Sequence, residues 1–317
     1  MTDPLAELQA VLLGGAPRFT RRQAADQAGI PLEEADRLWN ALGFASVADD
    51  EIAFTDSDVR ALTSAASLVE YGLIDRNSLR TVTRVVGQTM SRLAEWQARL
   101  LLDLLVRRPE IAEGTQLAEL VARLDPVLAQ VQMHVWRRQL ADSAQRLLVD
   151  GSDDPHSVTS VVGFADLSGY TGMTRELGTA ELAAVLEEFE ALATDLVAEQ
   201  HGQVVKTIGD EVLFTVGRPA AAAELALRLH EQAADRLPPL RIGLALGPVL
   251  ARYGDVFGPV VNIASRLTGL ARPGTVLIDQ ELAQALENEP EWSLRRLRPV
   301  SVRGYHHLLA TRLRRAD

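Results

Sequence analysis

Lys206 is the only lysine among the chain's 32 basic residues. A chain that otherwise uses arginine and keeps one lysine has a position suited to a compact ammonium rather than a planar guanidinium fork, because the two groups differ in shape, hydration and donor geometry. It stands in Val204-Val205-Lys206-Thr207-Ile208-Gly209-Asp210-Glu211: an apolar run, a glycine turn, then acids. A second segment, Phe164-Ala165-Asp166-Leu167-Ser168-Gly169-Tyr170-Thr171, ends an apolar run on an acid and enters a turn whose main-chain N–H groups could cradle phosphate oxygens. A third, Asp255-Val256-Phe257-Gly258-Pro259-Val260-Val261-Asn262-Ile263-Ala264-Ser265-Arg266, places Asn262 and Arg266 four apart, on one face of a helix. Brought together, Asp166 and Asp210 would make a site for hard divalent cations. Taken singly, each is an ordinary turn acid, Lys206 an ordinary strand-end lysine, and Asn262 and Arg266 ordinary surface side chains.

The elements that must position these residues divide the chain in two. The polar run Asp150-Gly151-Ser152-Asp153-Asp154-Pro155-His156-Ser157 is the seam. Before it the pattern is helical, over 20–28, 31–42, 56–70, 77–107, 114–124 and, as one long helix entering the seam, 126–149. Asp56, Asn77 and Thr115 are the expected N-caps. After the seam, apolar runs alternate with amphipathic stretches. Strands are expected over 158–166, 203–206, 211–216, 240–246, 249–253, 275–278, 292–302 and 307–313. Helices are expected over 179–200, capped by Thr179, and over 220–234 and 259–270. The order βαββαβ is the ferredoxin-like split arrangement. The expected organisation is a helical regulatory domain over 1–125, a transducer helix and linker over 126–157, and an α+β domain over 158–317.

Composition narrows the chemistry. There is no cysteine, which removes disulfides, thiolate nucleophiles and thiolate metal sites. Formal net charge is −11 and neither half is net basic, so nonspecific attraction to nucleic-acid phosphates is not expected. The N-terminus lacks a charged, then apolar, leader, and no apolar run has membrane-spanning length, so a soluble, cytoplasmic protein is expected with no membrane partner.

The motifs F-A-D-x-x-G-x-T, K-T-I-G-D and D-x-x-G-x-x-V-N-x-A-S-R occur in order between residues 158 and 312. In this the chain resembles the class III adenylyl cyclases. The resemblance implies a ferredoxin-like catalytic domain that converts ATP to 3′,5′-cyclic AMP and pyrophosphate with two Mg²⁺ or Mn²⁺ ions. It implies Asp166 and Asp210 as metal ligands, Lys206 and Asp255 as the adenine-selecting pair, Asn262 as the group orienting the ribose and Arg266 as the group stabilising charge at the α-phosphate. It implies phosphate contacts from Leu167, Ser168, Gly169, Tyr170 and Thr171, from Arg241, and from Arg303, which stands where many members carry lysine. The choice of adenine has a physical reason. Lysine only donates hydrogen bonds and an ionised aspartate only accepts, which suits adenine N1 and N6 and opposes guanine. The family assembles its site head to tail across a dimer. All six principal positions are filled here, so a homodimer with two equivalent sites is implied.

The first half faintly resembles a winged helix-turn-helix of the MerR type, over 19–30, 38–44 and 54–59. The reading-helix stretch Leu32-Glu33-Glu34-Ala35-Asp36-Arg37 is acidic, however, where DNA readers present basic and amide groups. A nucleotide- or DNA-binding regulator is therefore the alternative reading. The whole layout also resembles mycobacterial pH-responsive adenylyl cyclases, whose helical N-terminal domain restrains the catalytic dimer. On that resemblance His134, in the long helix, and His156, in the seam, are candidate regulatory groups, because imidazole titrates near neutrality.

Overall fold

In a computed structural model the described residues are 4–112, 116–149, 157–252, 254–302 and 305–316. The chain divides into two compact units, Met1–Ala144 and Gln145–Asp317. No helix among the described residues is long and apolar enough to cross a membrane.

The N-terminal unit is helical: α1 (Pro4–Leu12), α2 (Arg21–Ala28), α3 (Leu32–Leu42), α4 (Asp56–Glu70), α5 (Arg76–Arg107) and α6 (Gln116–Val149). Its core gathers Ala24, Ala25, Ala35, Leu38, Trp39, Phe54, Leu62 and Leu79. Trp39 and Phe54 stack with centroids 4.2 Å apart. Two expected caps are each corrected by one or two residues. Thr55, not Asp56, opens α4, because Thr55 is extended and its hydroxyl accepts from the N–H groups of Ser57 and Asp58. Asp75, not Asn77, opens α5, and its carboxylate accepts from Asn77 and Ser78 N–H. Thr115 lies outside the described residues. The helices expected over 114–124 and 126–149 are one helix, with Pro126 inside it. Proline removes one hydrogen bond and crowds the preceding turn, but the turns on both sides carry the helix through.

The second unit comprises β1 (Ser157–Leu167), α7 (Tyr170–Glu176), α8 (Thr179–Glu199), β2 (Gln203–Ile208), β3 (Glu211–Val216), α9 (Pro219–Ala233), β4 (Leu240–Arg252), β5 (Asp255–Phe257), α10 (Pro259–Leu270), β6 (Thr275–Ile278), α11 (Gln280–Ala285), β7 (Trp292–Arg296), β8 (Val300–Val302), β9 (Tyr305–Leu308) and β10 (Thr311–Arg315). The main sheet runs β2-β3-β1-β4-β6-β10-β7, with β5 paired to β4. Its first four strands have the ferredoxin-like order, so the fold is the expected α+β arrangement preceded by a helical region. One face is covered by α8, α9 and α11, around Phe189, Leu196, Leu225, Leu229 and Leu282. The other carries α10, whose Val260 and Ala264 pack on Val162, Phe164, Leu213 and Ala245.

Several expected boundaries change. Gly178, not Thr179, caps α8, its N–H held by the Glu181 carboxylate at 3.0 Å. The strands expected on either side of Gly247-Pro248 are one strand, since Pro248 pairs in register with Thr159 of β1. On its other side β4 pairs with β6 only over 241–244 and with β5 over 250–252, so proline's missing donor falls where no ladder needs it. The expected strand 292–302 divides into β7 and β8, and 307–313 into β9 and β10. The pair β8–β9 forms its own two-stranded sheet.

α10 lies very close to β4. A Cβ on Gly243 would fall 2.4 Å from the Thr268 nitrogen and 2.5 Å from the Ala264 carbonyl oxygen, both main-chain atoms of α10. Buried Thr268 strengthens the contact by donating to Phe164 O of β1 at 3.4 Å and to Ala264 O at 3.0 Å. On the opposite face Arg315 reaches Glu224 at 3.0 Å and Glu231 at 2.7 Å, tying β10 to α9. Gly243→Ala should displace α10 and cost about 1–3 kcal/mol, an overpacking penalty, measured by urea denaturation. Gly217→Ala, with nothing within 4 Å of the new methyl, should be close to neutral in the same assay.

Candidate active site

Asp166 follows Val162 and Phe164 at a spacing of two along β1, so its carboxylate falls on the α10 face of the sheet. Glu211 of β3 and Arg241 of β4 are its direct partners on either side. Opposed residues on antiparallel strands point to one face, so Glu211, Asp166 and Arg241 form a row. Asp210 belongs to the turn joining β2 to β3, where Gly209 adopts φ +64°, the left-handed conformation a glycine tolerates. Leu167 N–H donates to the Asp210 carbonyl at 3.1 Å, holding that turn against the end of β1. The Asp166 and Asp210 carboxyl groups lie near enough for the charge of Asp210 to bear on Asp166. Arg241 Nε donates to Ser168 Oγ at 3.3 Å.

Burial, then the Asp210 charge, pushes Asp166 up to about 6, with Arg241 opposing. Burial, then the charges of Asp166 and Asp210, pushes Glu211 up to about 7. An acid pair held together against this cost is a fit for divalent cations. Mg²⁺ in particular is bound by one or two carboxylates, with water and substrate phosphate completing its shell. Among the described residues no three His, Asp or Glu side chains gather in metal-binding geometry.

Lys206 reaches the same face through an irregularity. Val204 pairs with Phe214, but Lys206 pairs with Leu213, so a bulge lies at Val205. With uninterrupted register Lys206 would oppose Val212, whose side chain belongs to the other face. The bulge turns Lys206 onto the face of Leu213 and α10. There Lys206 Nζ lies 2.5 Å from the Asp255 carboxylate, whose other oxygen accepts Val256 N–H at 2.9 Å. The two side chains are 39% and 29% exposed, enough to be reached by a ligand.

Asn262 and Arg266 are both exposed on α10, and among the described residues neither makes a side-chain hydrogen bond or ion pair. The structure thus brings together Asp166, Asp210, Ser168 and Arg241, and separately Lys206 and Asp255. Among the described residues no hydrogen bond or ion pair joins either group to Asn262 or Arg266. Of the expected phosphate loop, the N–H groups of Leu167 and Ser168 already donate, the latter to Pro239 O at 3.0 Å. Those of Gly169, Tyr170 and Thr171 have no acceptor among the described residues. His134 is exposed on α6, whereas Arg303 and His156 lie outside the described residues.

Sequence reasoning missed Glu211, although an acid directly after Asp210 at a strand start was a visible signal. It also missed Asp279, buried between β6 and α11. Its carboxylate accepts from Leu246 N–H at 3.2 Å and Leu282 N–H at 3.0 Å. Burial above all holds it up at about 7.

Residues 154–313 match the adenylate and guanylate cyclase catalytic domain. The chain belongs to this cyclase family. Residues 3–144 match the adenylate cyclase regulatory domain, so the cyclase pairs an enzyme domain with a helical regulatory one. It is 44% identical over 290 residues to an adenylate cyclase of Streptomyces coelicolor, covering 90% of this chain and 76% of that one. It is 32% identical over 312 residues to a pH-sensitive adenylate cyclase of Mycobacterium tuberculosis, covering 92% and 77% respectively. The solved catalytic core of a rhodopsin-guanylyl cyclase with converted specificity, in complex with ATPalphaS, is 23% identical with a TM-score of 0.48, covering 50% of this chain and 98% of that one.

Asp166 and Glu211 give this cyclase a testable stability profile. Their folded pKa values lie above the ordinary 3.8 and 4.5, so the folded state holds these protons more tightly than the unfolded chain does. Their contribution to stability is complete below those ordinary values and is lost as the pH rises through about 6 and about 7. In EDTA, Asp166→Asn should therefore melt higher than wild type at pH 8, and the difference should shrink by pH 5. A constant difference across that range, read by differential scanning calorimetry, would contradict the assignment.

Proposed function

We propose that this protein is an adenylate cyclase that converts ATP to 3′,5′-cyclic AMP and pyrophosphate at sites shared between two copies of the chain. The observation that carries the choice of ATP is the Lys206–Asp255 pair, a donor beside an acceptor, partly exposed and turned onto the α10 face. With a nucleotide bound, Lys206 would donate to adenine N1 and Asp255 would accept from N6, the reverse of what guanine offers. Asp166 and Asp210 would hold two Mg²⁺ or Mn²⁺ ions, which when bound supply Lewis-acid activation of the 3′-hydroxyl and neutralise the triphosphate. Asn262 would orient the ribose. Arg266 would stabilise charge growing at the α-phosphate, a preorganised contribution of about 2.7–4 kcal/mol in comparable sites. Arg241, Arg303 and the N–H groups of Gly169, Tyr170 and Thr171 would anchor the phosphates.

The dimer reading is supported by the way the chain distributes its groups. The acids gather at one end of β1 and the base-reading pair gathers between β2 and β5. Asn262 and Arg266 stand exposed with no partner among the described residues of their own chain. A second copy placed head to tail would bring its Lys206, Asp255, Asn262 and Arg266 to these acids. For the N-terminal unit, the match to an adenylate cyclase regulatory domain supports control of the catalytic domain, with 126–149 of α6 transmitting the signal. Regulation by pH is supported by likeness to the pH-sensitive relative. The alternative reading, DNA binding, gains nothing from α3, whose Arg37 is paired with Glu33 and whose first turn carries Glu33 and Glu34.

Purified protein with Mn²⁺ should form cyclic AMP from ATP and far less cyclic GMP from GTP. Lys206→Arg should lower kcat/KM for ATP by about 100-fold, as mismatched donors at a base-reading site do, with its melting temperature unchanged. Equal turnover by that variant would remove the proposed base contact. Inactive Asp166→Asn and Arg266→Ala chains, mixed and allowed to exchange, should recover about a quarter of wild-type activity, because half the dimers then hold one intact site of two. No recovery despite demonstrated exchange would place the whole site within one chain. Comparing cyclase activity from pH 5 to 8 for the full chain and for residues 151–317 tests the regulatory role, and coincident profiles would end it.

A further inference from the structure

At the far edge of the main sheet four arginines meet without an acid among them. Arg312 of β10 is the direct partner of Arg295 of β7, so both guanidinium groups leave the sheet on one face. Arg314, two residues along β10, shares that face. On its other side Arg312 opposes Leu277 of β6, which packs with Ala271 at the end of α10, and Arg272 follows Ala271 directly. Among the described residues the charges that bear on Arg312 are all positive. Burial first, then Arg314, Arg295 and Arg272, hold its pKa below the ordinary guanidinium value. Its Nε is buried and, among the described residues, has no hydrogen-bond acceptor. Among the described residues none of the four arginines makes an ion pair or a side-chain hydrogen bond.

This is not for want of acids in a chain of net charge −11. The opposite face of the same strand shows the contrast, because Arg315 there is held by both Glu224 and Glu231. Like charges set directly across a strand pair are destabilising, and so is a buried donor without an acceptor. One multivalent anion would relieve both. Guanidinium forks match phosphate oxygens in pairs, and four of them outnumber the acceptors of a single carboxylate. The patch is separate from the candidate active site. β10 lies three strands from β1, about 14 Å at the usual strand spacing, with α10 packed over β1, β4 and β6 between them.

We propose that Arg272, Arg295, Arg312 and Arg314 form a second anion site that takes a di- or triphosphate group. The phosphate can belong to a nucleotide or to a free inorganic chain, and the two are separable. The full-length protein in EDTA is titrated with inorganic tripolyphosphate and, in parallel, with ATP, by isothermal calorimetry. The variants are Arg295→Gln/Arg312→Gln, Arg272→Gln/Arg314→Gln and, as a control within the candidate active site, Arg266→Gln. Saturable tripolyphosphate binding is expected that survives Arg266→Gln and weakens about ten-fold or more in each double variant, as lost charge-assisted contacts require. ATP binding with the same dependence assigns the site to a nucleotide's phosphates, and tripolyphosphate binding alone assigns it to a free polyphosphate. Equal affinity in wild type and both double variants, loss only in Arg266→Gln, or no saturable binding overturns the proposal. Arg272 and Arg314 are exposed, so the second double variant decides the matter if the first does not fold.

Discussion

The strand β1 is paired on both sides, and its register with β3 and β4 controls everything near the candidate site. That register sets Glu211, Asp166 and Arg241 side by side and brings the Asp210 turn against the strand's end. Because side chains alternate along a strand, a slip of one residue would send Asp166 into the apolar face occupied by α8 and α9. The apolar residues before Asp166 prevent such a slip. Val162 and Phe164 are buried toward α10, Val161 and Ala165 toward the other helices, and exchanging the faces would misplace all of them.

A second constraint follows from the first. α10 carries Asn262 and Arg266, and in addition to its apolar packing it meets the sheet main chain to main chain at Gly243. Such a contact has little compliance, so the two exposed polar groups are held on a rigid support. Opposite it the sheet is covered by a conventional apolar layer from Phe189 to Leu229. The close main-chain contact lies on the face that carries the candidate site, and the larger apolar cluster on the other.

The electrostatics of two regions on the α10 face of the sheet are opposite in sign. On β1 and β3 burial, and then the neighbouring acid charges, hold Asp166 and Glu211 well above the usual carboxylate range. On β10 and its neighbours, arginines surround Arg312 without counter-charge among the described residues. Both are arrangements that water alone satisfies poorly, and both are places where a charged ligand gains more than it would on an open surface. Asp279 is different, because its buried carboxylate already accepts two main-chain N–H groups and tethers β4 to the start of α11.

Much of this was legible without coordinates. The periodicity located α4 and α10 to the residue, and the alternation of strands and helices indicated the ferredoxin-like order. The three motifs singled out the candidate site residues, because residue type and short spacing are local properties. What failed locally was punctuation. Pro126 and Pro248 read as boundaries, yet one lies inside a helix and the other inside a paired strand, because neighbouring turns and an unpaired strand side absorbed the missing donors. Register was decided by tertiary structure alone. Residue identity makes Lys206 a candidate base reader, but only the bulge at Val205 puts it beside Asp255, 49 residues later in the chain, instead of in the apolar layer. The meeting of Arg295 with Arg312 was equally invisible, since cross-strand neighbours are set by which strands pair, and that depends on the burial of the whole sheet.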